Sequence, residues 1–398
     1  MEAAPLTLTP RRARIGERLG LAYFDGWLLA AALGLIAFSI FILAVATPDA
    51  VQGQPLYFAI RQSLYAVVGI ALMLAVARID YSRFREIRVG IYSLMIASIV
   101  LVLMFGAAAR GSRRWIELPY FRFQPSELAK LLLVVALAAF VIERTRHGTP
   151  MRQTLRILAL GLAPAALVFL QPDLGTGIVL VVVTLTILFL AGVPWRHFAL
   201  IGGLAALAVS FVLVIVPAAG LPSPLHGYQQ DRLTAFLHPS NDPSDGSYQV
   251  NQSVTAIGSG EKTGRGDNST QTELLFLPER HTDFIFAVIG ERFGFLGAAF
   301  VLSLYALLLW RILLVLTLSK NLYGTLIAGG IAAMLMFQIL VNVGMTLGVM
   351  PVTGITLPLM SYGGSSVIAT FLAIGLLQSI HVQARLDSRS RAPTPLLR

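Results

Sequence analysis

Apolar residues in this chain are gathered into long, nearly unbroken runs rather than the alternations of half-buried soluble elements. The runs lie near Trp27–Ala46, Ala59–Ala77, Val89–Ala108, Leu128–Ile142, Ile157–Leu170, Thr176–Ala191, Phe198–Val216, Phe284–Leu316 (interrupted at Gly294), Leu322–Leu347 and Ser365–Ile380. Roughly 20 helical residues cross a bilayer core. The pattern therefore predicts an all-α polytopic membrane protein of about ten transmembrane helices. Ten spans return the chain to its starting side. This divides it into an N-terminal segment 1–23, a membrane domain 24–383 and a flexible tail 384–398. A long loop over about 217–283 separates the seventh and eighth spans. Its glycines, prolines and asparagines break regular structure. Its Tyr228, Phe236, Tyr248, Leu274, Phe276 and Leu277 suggest that it folds back onto the bundle.

Charge orients the chain. Residues 11–18, 78–88, 144–156, 196, 311–320 and 385–398 hold about two-thirds of the 30 basic residues, whereas 47–58, 171–175 and 348–364 hold none. The basic side is cytoplasmic, so both termini are expected there and the 217–283 loop outside. Ala44-Val45-Ala46 resembles a signal-peptidase site, but the long apolar run before it favours an uncleaved first helix. The composition agrees with a membrane chain: 398 residues, 56% hydrophobic, only 13% charged, mean hydropathy +0.75. The net charge of +10 is mostly cytoplasmic arginine beside anionic lipid and calls for no nucleic acid. The absence of cysteine excludes disulfides and thiolate chemistry, and the 6 scattered histidines show no metal-ligand spacing.

Against that charge rule stands Arg110-Gly111-Ser112-Arg113-Arg114-Trp115-Ile116, whose arginines fall outside. An anionic ligand would account for them. Gln124-Pro125-Ser126-Glu127-Leu128-Ala129-Lys130 opens the fourth span, with Glu127 at the positive end of the helix dipole and Lys130 already in the apolar run. Lys130 either meets an anion or pairs with Glu127 three residues away. Asp173, in Gln171-Pro172-Asp173-Leu174-Gly175-Thr176-Gly177, serves either a tight turn or a site. Glu279, Arg280, His281 and Asp283 crowd the entry to the eighth span. Asp283 is placed there either as a helix cap or as a partly desolvated general base. Finally, Ser361, Gly363 and Ser365 lie in a Pro- and Gly-rich stretch before the last span, either an anion seat or a packed re-entrant turn.

These segments, in this order, resemble the SEDS family (shape, elongation, division and sporulation), with a RodA-like, rod-shape character. The blocks that carry the resemblance are Gly111–Ile116, Phe123–Lys130, Gln171–Thr176, Gln249–Gly260, Phe276–Ala287 and Met350–Ser366. Leu118-Pro119 and Arg292 depart from the family pattern. The resemblance implies a peptidoglycan glycosyltransferase that polymerises lipid II on the outer face of the bacterial inner membrane during cell elongation. It implies Asp283 as the catalytic base toward the acceptor 4-hydroxyl, with undecaprenyl diphosphate as leaving group. Substrate contacts are expected from Arg113, Arg114, Trp115, Glu127, Lys130, Asp173, Arg232, Glu279, His281, Ser361, Gly363 and Ser365. It implies no certain cofactor, although a divalent cation (Mg or Mn) could assist at the diphosphate. A class B penicillin-binding protein and other elongation-complex membrane proteins are the implied partners.

Two rival classes remain at this point. A lipid II flippase or proton-coupled transporter should carry ionisable residues near mid-membrane, whereas the unusual charges here gather at the outer boundary. A scaffold for cell-wall enzymes should tolerate the loss of Asp283.

Overall fold

The computed structural model describes residues 23–46, 54–109, 112–118, 121–144, 150–211, 216, 245–273, 276–277 and 279–390. Its helices are α1 (Gly26–Ala46), α2 (Tyr57–Ala77), α3 (Arg88–Phe105), α4 (Pro125–Arg144), α5 (Pro150–Leu170), α6 (Leu174–Leu190) and α7 (Trp195–Ser210), then α8 (Asp245–Ser259) and the short α9 (Thr270–Glu273), and finally α10 (Ile285–Leu318), α11 (Leu322–Thr346) and α12 (Gly364–Ser390). Among the described residues, eight helices are long and apolar enough to cross a membrane, while α6 and α7 are shorter apolar helices. Together they occupy the ten apolar runs, as a bilayer demands of backbone that cannot hydrogen-bond to lipid.

Successive spans alternate in direction. The N-termini of α2, α4, α6, α10 and α12 therefore gather at one end of the bundle, the end that carries Asp283. The central helices are α4, α11 and α12, apolar on nearly every face and buried along most of their length. α12 lies along α2. Their backbones approach so closely at Gly375 that a Cβ there would sit 2.6 Å from the Met73 carbonyl oxygen.

Three features go beyond the apolar runs. Three strands, β1 (Ala107–Ala109), β2 (Ser112–Leu118) and β3 (Phe121–Phe123), form a small antiparallel sheet where the sequence suggested only an outer connection. The long loop does return to the bundle in part, because α8 packs against α10 and α11. Of the residues expected to make that contact, Leu277 is buried whereas Tyr248 and Phe276 are exposed, and Tyr228, Phe236 and Leu274 lie outside the described residues. Ala256 is also buried and Ser253 Oγ donates to the Thr346 carbonyl at 2.7 Å. The last helix also continues through Ser390, into the segment read as a flexible tail. No glycine or proline interrupts it there, and Gln383 Nε2 donates to Asp80 Oδ1 at 2.9 Å.

The expected interruption at Gly294 is a break in α10. Gly294 has φ +60 and ψ −157, and a Cβ would fall 2.4 Å from the Gly264 nitrogen. The 260–265 turn docks into the break, with Phe295 N donating to Glu261 O at 2.9 Å and Leu296 N to Lys262 O at 3.1 Å. At the opposite end, Arg311 grips Asp25 with bonds of 2.7–3.1 Å, and Gln378 clasps the backbone N–H and carbonyl of Asp25. This ties the start of α1 to the ends of α10 and α12.

Two stability measurements follow from these contacts. Gly294→Ala places a Cβ in both a left-handed backbone and an occupied space, and should cost about 1–3 kcal/mol, read as a lower melting temperature in detergent. Asp25→Ala leaves the Arg311 guanidinium without its carboxylate and should destabilise by roughly 3–5 kcal/mol. Unchanged melting in either variant would contradict the assignment.

Candidate active site

Asp283 lies in a turn, Glu279–Phe284, that leads into α10. Glu279 adopts φ +54, and its carbonyl accepts from the backbone N–H groups of Thr282 and Phe284 at 3.0 and 3.3 Å. The Glu279 carboxylate accepts from Thr282 Oγ1 at 2.9 Å. Phe284 is the residue at the N-cap of α10 and supplies no side-chain cap. Asp283 therefore does not hold the cap position that the bland reading gave it. Its side chain is partly exposed.

The backbone of this turn is fixed from three directions. Asn342, fully buried in α11, donates through Nδ2 to the Asp283 carbonyl at 2.9 Å and to the Ile355 carbonyl at 2.8 Å. Ser361 Oγ donates to the Thr282 carbonyl at 2.6 Å while accepting from Leu357 N at 2.8 Å. Tyr362 N donates to the His281 carbonyl at 2.9 Å. The His281 ring stacks on Phe58 of α2, with centroids 4.4 Å apart. Arg280 turns the other way and donates to the Thr272 carbonyl. Glu291, buried in α10, accepts from Thr272 Oγ1 at 2.6 Å and from the N–H groups of Gln271 and Thr272 at 2.8 and 3.0 Å. Arg292, at the position where the chain departs from the family pattern, pairs with Asp267.

Residues 351–363 form the companion segment. Gln62 Nε2 of α2 donates to Ser39 Oγ at 3.2 Å and to the Ser361 carbonyl at 3.1 Å, and Ser39 Oγ of α1 donates to the Met360 carbonyl at 2.6 Å. Gly363 N points to Gln62 Oε1 at 3.4 Å. The stretch is thus a buried re-entrant turn whose polar backbone is held by protein groups, as a membrane interior requires.

A second cluster gathers at the start of α4. Lys130 Nζ and Glu127 Oε1 are 2.8 Å apart, and both side chains are buried. The intrahelical alternative for this pair is therefore realised, but at a depth where breaking it would strand a charge. Asp173 caps α6, accepting from Thr176 N at 3.2 Å. It also accepts from Gln124 Nε2 at 3.2 Å, with Ser126 Oγ at 3.4 Å. Arg114, from β2, donates to the carbonyls of Gln171 and Pro172 and stands 4.0 Å from Asp173. Its guanidinium clamps the α5–α6 turn. Trp115 is partly buried in the same strand, its Cα opposite that of Ala107.

Ser365 joins the two clusters. Its Oγ accepts from Gln124 N at 2.9 Å and donates to the Arg122 carbonyl at 3.3 Å, so the residue that opens α12 holds the lead-in to α4. The structure thus gathers Asp283, Glu279, His281, Ser361, Gly363 and Ser365 around one segment, with Glu127, Lys130, Asp173 and Arg114 on the α4 side of it. Arg113 lies in β2, its side chain outside what is described, and Arg232 lies outside the described residues altogether. Among the described residues, no three His, Asp or Glu side chains are grouped to hold a metal ion. Sequence reasoning passed over Ser39, Gln62 and Asn342, although polar residues inside an apolar run are themselves a signal.

Comparison with known proteins agrees with this architecture. A family model named for FtsW, RodA and SpoVE, and described as "Cell cycle protein", matches residues 22–386. The peptidoglycan glycosyltransferase MrdB of Escherichia coli (strain K12) is 36% identical over 386 residues, 97% of this chain and 100% of its own. A probable peptidoglycan glycosyltransferase FtsW of Thioalkalivibrio sulfidiphilus is 37% identical over 380 residues, 93% of this chain and 91% of its own. Among solved structures, a chain from work on "polymerization and crosslinking by a peptidoglycan synthase complex" superposes with a TM-score of 0.76 at 34% identity, covering 92% of this chain and 99% of that one. RodA of Thermus thermophilus superposes with a TM-score of 0.66 at 31% identity, covering 90% and 96%. With its ten apolar helices and a family match over nearly its whole length, this chain belongs to the SEDS family of membrane proteins, the family of FtsW, RodA and SpoVE.

Proposed function

We propose that this chain is a peptidoglycan glycosyltransferase that polymerises lipid II on the outer face of the bacterial inner membrane, with both termini cytoplasmic. The activity is the one named for its curated relatives. The observation that carries the reading is the joining of two charged clusters by one re-entrant segment: Ser361 of 351–363 and Asn342 of α11, which also holds the Ile355 carbonyl, fix the Asp283 turn, and Ser365, two residues beyond the segment, fixes the entry to α4. A carboxylate on one side and buried cationic groups on the other suit a substrate with a sugar hydroxyl to deprotonate and a diphosphate to expel.

In this mechanism the Asp283 carboxylate takes the proton of the acceptor 4-hydroxyl as that oxygen bonds to the anomeric carbon of the donor chain. The bond from that carbon to the diphosphate oxygen breaks, and undecaprenyl diphosphate leaves with the electron pair. The proton passes from Asp283 to solvent. Positive charge near Lys130 and Arg114 offsets the charge growing on the leaving group, a form of help that acts chiefly in the transition state. Lys130 is placed for this by its pairing with Glu127, and an arriving diphosphate can share it. A divalent cation carried by the diphosphate is compatible with this scheme and is not required by it. Arg113, Arg232, Glu279 and His281 are assigned to the sugars, and Trp115 to the wall of the cleft.

The RodA-like segments favour elongation as the process served, and a class B penicillin-binding protein as the partner that cross-links the product. The solved relative from a synthase complex that couples polymerisation to cross-linking supports such a partner.

Purified protein, with and without the partner, should convert labelled lipid II into glycan chains. Asp283→Asn should lower turnover by about 10²–10⁴-fold with its melting temperature retained. Polymer made at the wild-type rate by this variant would exclude Asp283 as the base. Lipid movement across vesicles without polymer would replace the enzyme with a flippase. Lys130→Ala alone should destabilise the protein and slow turnover, because it strands Glu127. The double change Glu127→Gln with Lys130→Met removes both charges and should restore stability but not turnover. Restored turnover in the double variant would remove Lys130 from the chemistry.

A further inference from the structure

Arg61 is a charge in the site region that the mechanism leaves unused. It lies one turn inside α2 at the Asp283 end, followed by the polar Gln62 and Ser63 in a helix that is otherwise apolar or aromatic. Tyr57, Arg61 and Tyr65 recur at four-residue spacing and so share one face of that helix. The guanidinium lies 4.5 Å from the centroid of the Tyr57 ring, and its hydrogen-bonding partner is the Tyr362 side chain. Among the described residues, no carboxylate pairs with it.

The surroundings are aromatic and open. Phe58 meets the His281 ring at 4.4 Å and the Tyr362 ring edge-on at 4.7 Å, and Tyr65 lies 6.2 Å from Tyr362. Tyr57, Phe58, Arg61, Tyr65, His281 and Tyr362 are all partly exposed, so ring faces and the cation share one accessible patch. Burial pushes the Tyr362 phenol well above its ordinary range, with Tyr65 adding to the rise, so it remains a neutral donor at physiological pH. His281 precedes Asp283 by two residues and Tyr362 N bonds to its carbonyl, which places the patch beside the carboxylate turn.

A membrane-embedded arginine is costly unless it meets an anion or reaches water. A cation–π contact on one ring offsets only part of that, about 0.5–2 kcal/mol. The guanidinium fork fits phosphate in a two-pronged way, and aromatic faces receive the apolar face of a pyranose. This combination is what a sugar attached to a phosphate requires. It stands apart from the Lys130 cluster, which belongs to α4 and β2 rather than to α2.

We propose that Arg61, with the rings of Tyr57, Phe58 and Tyr362, forms the subsite that holds the sugar–diphosphate head of the acceptor lipid beside Asp283. The assignment rests on the glycosyltransferase reading above and adds to it a division of labour: Arg61 anchors the acceptor, Lys130 and Arg114 face the donor's leaving group. Arg61 is thus a binding residue, and its loss acts on acceptor affinity more than on the chemical step.

The test uses the full-length protein in nanodiscs with lipid II as probe. Arg61→Gln should raise KM for lipid II by about tenfold while kcat stays within about threefold, and Arg61→Lys should fall between the two. In the Asp283→Asn background, direct lipid II binding should weaken by the same factor on adding Arg61→Gln. Unchanged KM and binding overturn the proposal, as does an Arg61→Lys variant no better than Arg61→Gln. Repeating the binding in nanodiscs with and without anionic phosphatidylglycerol separates the ligand sources. A loss seen only when that lipid is present shows that Arg61 holds a phospholipid headgroup and overturns the subsite. Polymerisation surviving Asp283→Asn would sink the base assignment instead, and leaves the binding comparison valid.

Discussion

Non-helical backbone inside a membrane protein must find its hydrogen-bond partners in the protein, and the Asp283 region is organised by that demand. Two irregular stretches, 279–284 and 351–363, meet at one end of the bundle. Their carbonyls and amides are answered by Asn342, Ser361, Gln62 and Ser39, and by each other through Tyr362 N and the His281 carbonyl. Each bond exchanges an otherwise uncompensated polar group for a satisfied one, which makes the alternative conformations expensive. The geometry of the Asp283 turn and its companion segment is therefore set in part by three transmembrane helices, α1, α2 and α11.

Charge follows the same economy. Glu127 and Lys130 are buried as a pair, Asp173 is satisfied by the start of α6 and by Gln124, and Asp25 with Arg311 closes the opposite end. Buried ion pairs are poor sources of net stability compared with apolar packing. Their value is positional. The Asp25 pair fastens the helices far from the site. The Lys130 pair holds a lysine side chain at the start of α4, where the proposed mechanism puts the diphosphate. Ser365 ties the start of α12 to the lead-in of α4 through Gln124 N and the Arg122 carbonyl.

The spans were legible because lipid requires continuous apolar runs, and the Gly294 break because a glycine interrupts one of them. Asp283 was legible as a candidate from the crowding of charge around it, but the cap alternative could be set aside only from the backbone, where Phe284 takes the cap position. The sheet over 107–123 was not readable, since two of its three strands have only three residues and no alternation can register in so few. Arg114 could be flagged as an outer cation, but its grip on the Gln171 and Pro172 carbonyls depends on a contact 57 residues away in sequence. Asn342 and Ser39 each appear as a single polar letter in an apolar run, and Gln62 follows Arg61 and precedes Ser63 in another. Their meaning emerges only when the loops they satisfy are seen beside them.

The most direct measurement is an experimental structure of the Asp283→Asn variant arrested with lipid II in a lipid nanodisc. The account predicts the acceptor 4-hydroxyl about 3 Å from the residue 283 side chain, with the re-entrant segment between the two charged clusters unmoved. A sugar head bound away from the 279–284 turn, with residue 283 turned only toward protein, would contradict it.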